Sequence, residues 1–410
     1  MRMVCCVGLQ GGEALRSTGE ADDLPTVVDW IEVFRKSIPT FRTHALTDES
    51  VPGPLREAAA DRFAADFNAA LDALLADPSL PAPGYPASQP INCATLCQLR
   101  EDCLHGAGFG DVFAAVKARE NERALALLPG VLAEFDALEG RLTDQWVAGG
   151  RAADVGAAGE WPRGYQRCSV TFPSFPSEPD TPFATPPLEL ALRGVFAGNI
   201  FDLGAEASAQ LHAAGGSAFA ATRARLLPRP WAVDDMDALL GAVGAGLRWR
   251  KAALFVDNAG PDVVLGMLPL ARLLCQAGSQ VLLMANRGAT INDITAPELQ
   301  DLLARAAPLD PVLAEATSSG ALRVVCSGSD LPVIDLTQLS PEAVEAAADC
   351  DLIVLEGMGR GIETNLHAAL SCDSLKLGMI KHPEVAAHFS GRLYDCVCKF
   401  DRGLSGEQPN

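Results

Sequence analysis

Long apolar runs are missing from this 410-residue sequence. Its longest stretch of that kind, residues 263–271, falls far below the roughly 20 residues that a membrane-spanning helix needs, so the sequence predicts no membrane span. Basic residues are also scarce, since 32 Lys and Arg face 52 Asp and Glu and leave a formal net charge of -20. A chain this acidic repels nucleic acid and anionic membrane surfaces, and neither is an expected partner.

Several catalytic signatures are absent as well. The sequence contains no G-x-x-x-x-G-K-[ST] motif, which excludes an ordinary P-loop kinase. With no G-x-S-x-G motif and only six His, a serine hydrolase has no support. No signal peptide is visible, because the brief apolar opening ends at Gly11 and Gly12 and acidic residues follow. We therefore expect a cytoplasmic protein whose twelve Cys are reduced.

The first half of the chain has a helical pattern. Residues 1–24 are expected to be a disordered tail, and residues 25–187 a helical subdomain ending in an irregular connection rich in Gly, Ala and Pro. Further helices are expected from about Asp111 to Leu128 and from Val131 to Val147. An earlier helix carries an apolar stripe at three- and four-residue steps: Leu55, Ala58, Ala59, Phe63, Phe67, Leu71, Leu74 and Leu75.

A group of thiols lies within this helical half. Cys93, Cys97 and Cys103 are followed by His105, but their gaps do not match a zinc finger or a zinc ribbon. The spacing favours packed thiols on a helix over a zinc site, and the role of the group stays open.

Residues 188–410 alternate short apolar strands with helices. Continuous apolar strands separated by helices are typical of a parallel sheet that is covered on both faces. The sequence therefore predicts an α/β domain with a mostly parallel sheet and helices on both faces, next to an N-terminal all-helical subdomain. The expected strands are 252–256, 280–285, 322–326, 351–355 and 375–380, with 394–400 as a last edge strand.

Polar residues collect where these strands end. Ligands bind beyond the carboxyl ends of the strands in such sheets, so one edge should carry the site. Two carboxylates and one amide oxygen suit a hard divalent cation, and they leave places for water and a substrate phosphate. These candidate ligands are Asp257, Asn258 and Asp293, while Ser327, Glu356, Arg360 and Lys381 follow other strands. Lys381 or Arg360 could hold the phosphate as a fixed positive group.

Each of these residues also has an ordinary structural interpretation. An Asp after a strand often caps the next helix, and Asp293 precedes a segment that resembles a helix entry. Lys381 taken alone would be a surface lysine. An aspartyl-phosphate route is disfavoured, because Ala259 occupies the place where haloacid-dehalogenase phosphatases carry a second Asp.

The loop Gly357–Gly361 leaves a second function open. It follows a strand and resembles a dinucleotide fingerprint, but its third glycine comes one residue early. This loop is the sequence support for the alternative of an S-adenosylmethionine-dependent carboxyl methyltransferase. A non-catalytic protein that binds phosphorylated metabolites is a third hypothesis, which the retention of both acids and Asn258 disfavours.

Several segments together resemble the damage-control phosphatase family, first catalogued as domain of unknown function 89. The branch most similar in these segments is the phosphatase domain fused to some pantothenate kinases, with its stand-alone plant relatives. The segments are Ile91–Cys93, Arg193–Ala205, Leu227–Trp231, Leu254–Gly260, Ile291–Thr295, Leu355–Asn365 and Lys376–Lys381.

This resemblance implies a Rossmann-like α/β domain with a helical N-terminal subdomain. It implies a divalent metal (Mn, Co, Ni or Mg) held by Asp257, Asn258 and Asp293, with Asn199 and Asp202 brought towards the site. The expected partner is a small phosphorylated metabolite, namely 4'-phosphopantetheine or its oxidised or sulfonated forms, and a homo-oligomer is left open. The triplet at 287–289 departs from the family pattern, which bears on substrate preference rather than on metal binding.

Overall fold

A computed structural model describes residues 27–77, 81–86, 91–148, 187–200, 217–244 and 248–403. The predicted tail at 1–24, most of the predicted irregular connection and Asp202 lie outside these ranges. Among the described helices, none combines the length and the apolar character that crossing a membrane requires.

Among the described residues up to 148, four helices form the N-terminal part. They are α1 (Val27–Ala45), α2 (Gly53–Ala76), α3 (Cys93–Ala107) and α4 (Ala114–Ala148). The middle of the predicted stripe on α2 is buried, but its ends are not, since Leu55 is 62% exposed and Ala58 and Leu75 are exposed as well. Leu55 lies in the first turn, and Leu75 is rotated about 100° from the buried Leu74.

The prediction of two separate helices over 111–147 was wrong. The structure has one helix, α4, which continues through Pro129. Proline normally interrupts a helix, because it lacks an N–H and crowds the preceding turn. Here the buried residues on both sides of the proline, Leu128 and Leu132, belong to one apolar cluster with residues of the sheet such as Leu254. Packing against the sheet thus overrides the local preference.

The α/β part carries the remaining elements. Its first helices are α5 (Pro187–Asn199), α6 (Ser217–Ala224) and α7 (Met236–Gly244), and the later ones are α8 (Leu268–Gln276), α9 (Ala296–Ala306), α10 (Pro311–Ser318), α11 (Pro341–Ala347) and α12 (Pro383–His388). Two π-helical turns, Asp262–Met267 and Met358–Glu363, and two 3₁₀ turns, Ala307–Leu309 and Leu336–Gln338, complete the set. The strands are β1 (Val233–Asp234), β2 (Lys251–Phe255), β3 (Gln280–Ala285), β4 (Leu322–Cys326), β5 (Leu352–Glu356), β6 (Asp373–Met379) and β7 (Cys396–Asp401).

The sheet has the order β1-β7-β6-β5-β2-β3-β4. Every neighbouring pair is parallel except β6 and β7, which confirms the predicted α/β fold with a mostly parallel sheet. The prediction that 394–400 forms an edge strand was wrong, because Val233 of the short β1 pairs with Val397 outside it. Alternate residues of β2 pack into clusters on opposite faces of the sheet, Leu254 into one and Phe255 into the other.

Candidate active site

The site lies where the sheet reverses its order. From β2 the chain proceeds through β3 to β4 in one direction, and β5 begins on the other side of β2. Such a switch point leaves a crevice beyond the carboxyl ends of the two central strands. Asp257 follows β2 and Glu356 ends β5, and the backbone N–H of Asp257 donates to Glu356 Oε2 at 2.9 Å.

Three buried carboxylates meet in this crevice. Asp257, Asp262 and Glu356 each offer an oxygen within 4.8 Å of the others. Asp262 begins the π-helical turn that follows β2, so its carboxylate points back towards the strand end. Burial and the charge of Asp262 raise the pKa of Glu356 well above its ordinary value. Burial also raises the pKa of Asp262, against the opposing effect of the positive charge on Lys381. Three carboxylates so placed require positive charge or protons.

Asn199, at the end of α5, donates to all three carboxylates. Its Nδ2 lies 3.2 Å from Asp257 Oδ2, 3.2 Å from Asp262 Oδ2 and 2.8 Å from Glu356 Oε1. Its side-chain oxygen accepts from the backbone of Met379 at 3.2 Å. This position requires close packing of α5 on the π-helical turn, since a Cβ on Gly198 would lie 2.7 Å from the Cα of Asp262. The glycine therefore allows the contact.

Two oxygen atoms on the stretch that follows β2 have no hydrogen-bond partner among the described residues. They are Asn258 Oδ1 and Asp262 Oδ1, and both are buried. The amide nitrogen of Asn258 donates to Asp257 at 2.9 Å and to Asp262 at 2.8 Å, which leaves its oxygen free to face a ligand. Buried oxygens without partners call for an explanation. A set made only of carboxylate and amide oxygens fits a hard divalent cation.

The loop after β3 brings Asp293 alongside. Asn258 and Asp293 form an isolated antiparallel β-bridge, and the N–H of Ile294 donates to the carbonyl of Asp257 at 3.0 Å. Asp293 does not cap the next helix, because Thr295 does so together with Glu298 in a capping box. Its fully buried carboxylate is therefore available to the site.

Arg360 joins the two sides of the crevice. Its guanidinium donates through Nη1 to Asp257 and through Nη2 to Asp293, and it also reaches Asn286 Oδ1 at 3.1 Å. The arginine is carried by the π-helical turn after β5 and is only 1% exposed. Asp293 thus contacts Arg360 but does not belong to the group of three carboxylates formed by Asp257, Asp262 and Glu356.

The glycines of the 357–361 loop serve this arrangement. Gly357 has a φ of +105°, and a Cβ there would overlap the carboxylate of Asp257. A Cβ on Gly361 would lie 2.7 Å from the carbonyl oxygen of Leu355. The loop that resembles a dinucleotide fingerprint therefore packs against the strand ends and delivers Arg360.

The family model of the damage-control phosphatase ARMT1-like domain matches residues 33–397. The chain belongs to this family. Damage-control phosphatase At2g17340 of Arabidopsis thaliana is 40% identical to it over 378 residues, which cover 92% of this chain and 88% of that protein. A crystal structure of a DUF89 family protein from Pyrococcus horikoshii superposes with a TM-score of 0.54 at 15% identity, covering 92% of this chain and 98% of the other, and it shows the fold alone.

Other relatives of this damage-control phosphatase family member are longer. Pantothenate kinase 2 of Oryza sativa is 34% identical over 409 residues, covering 92% of this chain but 39% of that protein. The 4'-phosphopantetheine phosphatase of Mus musculus is 28% identical over 361 residues, covering 76% of this chain and 38% of that protein. The chain therefore spans less than half the length of these two relatives.

Sequence reasoning missed Asp262 as a site residue. An acidic residue in the first turn of a helix is common, because it interacts favourably with the helix dipole, so Asp262 carries no distinct signal. The available clue was that Asp262 comes four residues after Asn258, about one helical turn further along the chain. Glu356 was predicted to contact substrate, and the structure places it in the group of three carboxylates. A substrate contact for Glu356 stays a prediction.

The remaining predicted residues have individual outcomes. Lys381 is buried, and its charge acts on both Asp262 and Glu356, so it faces the site rather than the surface. Ser327 is buried in the loop after β4, where its hydroxyl accepts from the N–H of Ser329 at 3.2 Å. A substrate contact for Ser327 stays a prediction.

Proposed function

We propose that this member of the damage-control phosphatase family is a metal-dependent phosphatase of small phosphorylated metabolites. One observation carries the proposal: three buried carboxylates meet at the switch point of the sheet, and two buried oxygens there, Asp262 Oδ1 of that group and Asn258 Oδ1, have no hydrogen-bond partner among the described residues. Arg360 and Lys381 offset this negative charge only in part. A partly compensated group of carboxylates is costly in a protein interior, so it is typical of a site that binds a cation.

The proposed metal ligands are Asp257, Asp262, Glu356 and the side-chain oxygen of Asn258. Asp293, also predicted as a ligand, contacts Arg360, and a ligand role for it stays a prediction. A bound divalent cation would polarise a phosphoryl oxygen and acidify water in the site. Mn, Co, Ni and Mg all suit a site of this composition, and the sequence does not choose among them.

The protein's own cations would orient the phosphate. Arg360 and Lys381 are both buried at the edge of the carboxylate group, where low dielectric strengthens their attraction for an anion. Asn199 holds the three carboxylates in place through one amide group. The substrate phosphate would thus meet fixed positive groups that need little rearrangement.

The proposed substrate is 4'-phosphopantetheine or its oxidised or sulfonated forms. Support comes from the mouse relative, which carries the name 4'-phosphopantetheine phosphatase, and from the pantothenate kinase relative of Oryza sativa. Hydrolysis of such compounds would restrain coenzyme A synthesis and remove damaged intermediates.

The test is phosphate release by the purified chain after its metals have been stripped. Each of Mn, Co, Ni and Mg is added with 4'-phosphopantetheine, its sulfonated form, or unrelated sugar phosphates. We expect release only with metal, and the highest kcat/KM for a pantetheine phosphoester. Full activity in excess chelator would overturn the metal dependence, and preference for a sugar phosphate would overturn the substrate.

The loop that supports the methyltransferase alternative has a structural role in the proposed phosphatase site. The loop on which it depended packs its glycines against Asp257 and Leu355 and presents Arg360 to two carboxylates. Calorimetric binding of S-adenosylmethionine to the purified protein would restore that alternative.

A further inference from the structure

A buried lysine of α4 lies behind the site. Lys117 is 1% exposed along its side chain, and its Nζ lies 2.7 Å from Asp111 Oδ2 and 2.8 Å from Glu298 Oε1. Both carboxylates keep the lysine charged, and they raise its pKa against the effect of burial. A buried lysine with two carboxylate partners binds them firmly, because removing it would leave both charges uncompensated.

Lys117 contacts both ends of the segment 293–298. Its Nζ donates to the backbone carbonyl of Asp293 at 3.4 Å. At the other end, Glu298 accepts from Lys117 while its carboxylate also accepts from the N–H of Thr295 at 2.8 Å. The lysine therefore joins the carbonyl of a candidate site residue to the cap of the helix that follows it.

One turn further along α4, Asn121 holds the other loop of the site. Its side-chain oxygen accepts from the N–H of Gly260 at 2.6 Å. Gly260 has a φ of +79°, and a Cβ there would lie 2.8 Å from the Cβ of Glu120. Residues 117 and 121 are four apart and so share a face of the helix. One face of α4 therefore contacts both the loop after β2 and the loop after β3.

We propose that Lys117 is a positioning residue of the site, which fixes Asp293 relative to Asp257, and that Asn121 fixes the loop that carries Asn258. Lys117 acts through the backbone carbonyl of Asp293 and through Glu298, and it makes no described contact with the three carboxylates themselves. The metal and activity readouts rest on the proposed function, whereas the positioning role can be measured without a metal.

The test compares Lys117→Met with a matched variant, Arg272→Met. Arg272 on α8 is also buried, and it also links α4 to a helix cap, since it contacts Asp136 at 2.7 Å and Asp310 at 3.0 Å. Asp310 caps α10 by accepting from Leu313. Both variants remove a buried cation from two carboxylates, and only the first removes it from the site loops.

Hydrogen exchange of the metal-free proteins gives the first readout. We expect Lys117→Met to speed exchange over 292–298 by at least about tenfold, because local opening becomes easier once the segment loses its anchor. Arg272→Met should speed exchange near Leu313 and leave 292–298 unchanged. Asn121→Ala, a milder change, should speed exchange of the Gly260 amide. Wild-type protection of 292–298 in Lys117→Met, or equal loss there in Arg272→Met, would overturn the proposal.

Manganese titration by calorimetry gives the second readout. We expect Lys117→Met to weaken binding by about 10- to 100-fold, because the segment that it anchors forms the β-bridge with Asn258, a proposed ligand, and loss of a group that orients a ligand typically has an effect of this size. Lys117→Arg should recover part of this affinity. In Lys117→Met, kcat for phosphate release should fall by a larger factor than KM rises. If wild-type protein binds no metal, the proposed function fails while the exchange experiment still decides the role of Lys117. If the wild-type protein binds manganese and Lys117→Met binds it with the same affinity, that result would count against a positioning role.

Discussion

Asn258 and Asp293 pair as an isolated antiparallel β-bridge, although they follow different strands of the sheet. The bridge continues through the N–H of Ile294, which donates to the carbonyl of Asp257, and through the N–H of Ala259, which donates to Asn292. Backbone pairing therefore sets the separation of Asp257 and Asp293. Substitution of the side chain of Asp257 or of Asp293 should therefore change the charge of the site without moving the other residue. Single variants at these two positions are informative for that reason.

Asp257→Asn should abolish metal-dependent activity while retaining the fold. Asp257 contacts Arg360 and belongs to the group of three carboxylates. Replacing its carboxylate therefore removes both a partner of Arg360 and one negative charge of that group. We expect metal affinity and phosphate release to fall by at least about 100-fold, beyond the effect typical of a group outside the ligand set. Asp301→Asn, on the exposed side of α9, is the control and should leave both quantities unchanged. Wild-type phosphate release by Asp257→Asn would contradict the proposed site.

Glu356→Gln should remove metal binding without destabilising the metal-free protein. Burial raises the pKa of Glu356 well above its ordinary value of 4.5, so the neutral form is favoured and glutamine resembles it. We expect an unchanged or higher Tm in the absence of metal, and no further rise when manganese is added. A large loss of Tm in the metal-free variant would show that the carboxylate charge stabilises the fold.

The same raised pKa predicts how the stability of the metal-free protein depends on pH. Between pH 4.5 and the raised pKa, the folded state binds more protons at Glu356 than the unfolded state does. The free energy of unfolding should therefore fall as pH rises through this window. The slope, measured by denaturant titration at several pH values, should be smaller in Glu356→Gln. Equal slopes in the two proteins would exclude Glu356 as the source.

Gly357→Ala should disrupt the site through sterics alone. The residue has a φ of +105°, and an added Cβ would overlap the carboxylate of Asp257. Gly320→Ala is the matched control, because its φ is +76° and nothing lies within 4 Å of the added Cβ. Both variants should lose about 1–3 kcal/mol of stability, because a side chain strains a backbone with positive φ, but only Gly357→Ala should lose metal binding. Retained metal affinity in that variant would mean that Asp257 can move without loss.

Arg360→Met should destabilise the metal-free protein strongly. The guanidinium contacts the buried carboxylates of Asp257 and Asp293, and its removal leaves both without this cation. We expect a loss of about 3–5 kcal/mol in the free energy of unfolding, the range typical when a buried ion pair is broken. Arg287→Met removes an exposed arginine from Asp330 and should cost no more than about 1 kcal/mol. Comparable losses in the two variants would contradict a stabilising role for Arg360.

The sequence predicted the sheet well, because its buried strands are continuous apolar runs that end in polar residues. The strand β4, for instance, has the predicted limits of 322–326. The interior position of the strand predicted at 394–400 could not be foreseen, since β1, which pairs outside it, is two residues long and leaves no pattern. The break at Pro129 was predicted from local propensity, which the packing of α4 against the sheet overrides.

The site was predictable only in part. Residues at or just after the end of a strand, such as Glu356 and Asp257, can be predicted as site residues from their position alone. Asp262 does not, because it resembles an ordinary residue of a first helical turn. Lys117 and Asn121 lie on a helix far away in sequence, and only the docking of α4 on the sheet brings them to the two loops.

That docking bears on how such a protein can be inherited. α4 lends its apolar face to the core of the sheet and its polar face to the loops of the site. A recombination event that carried the α/β part into a new gene without its helices would leave behind the lysine that steadies Asp293. In the pantothenate kinase relative of Oryza sativa the match covers 92% of this chain, so it includes both the helices and the sheet.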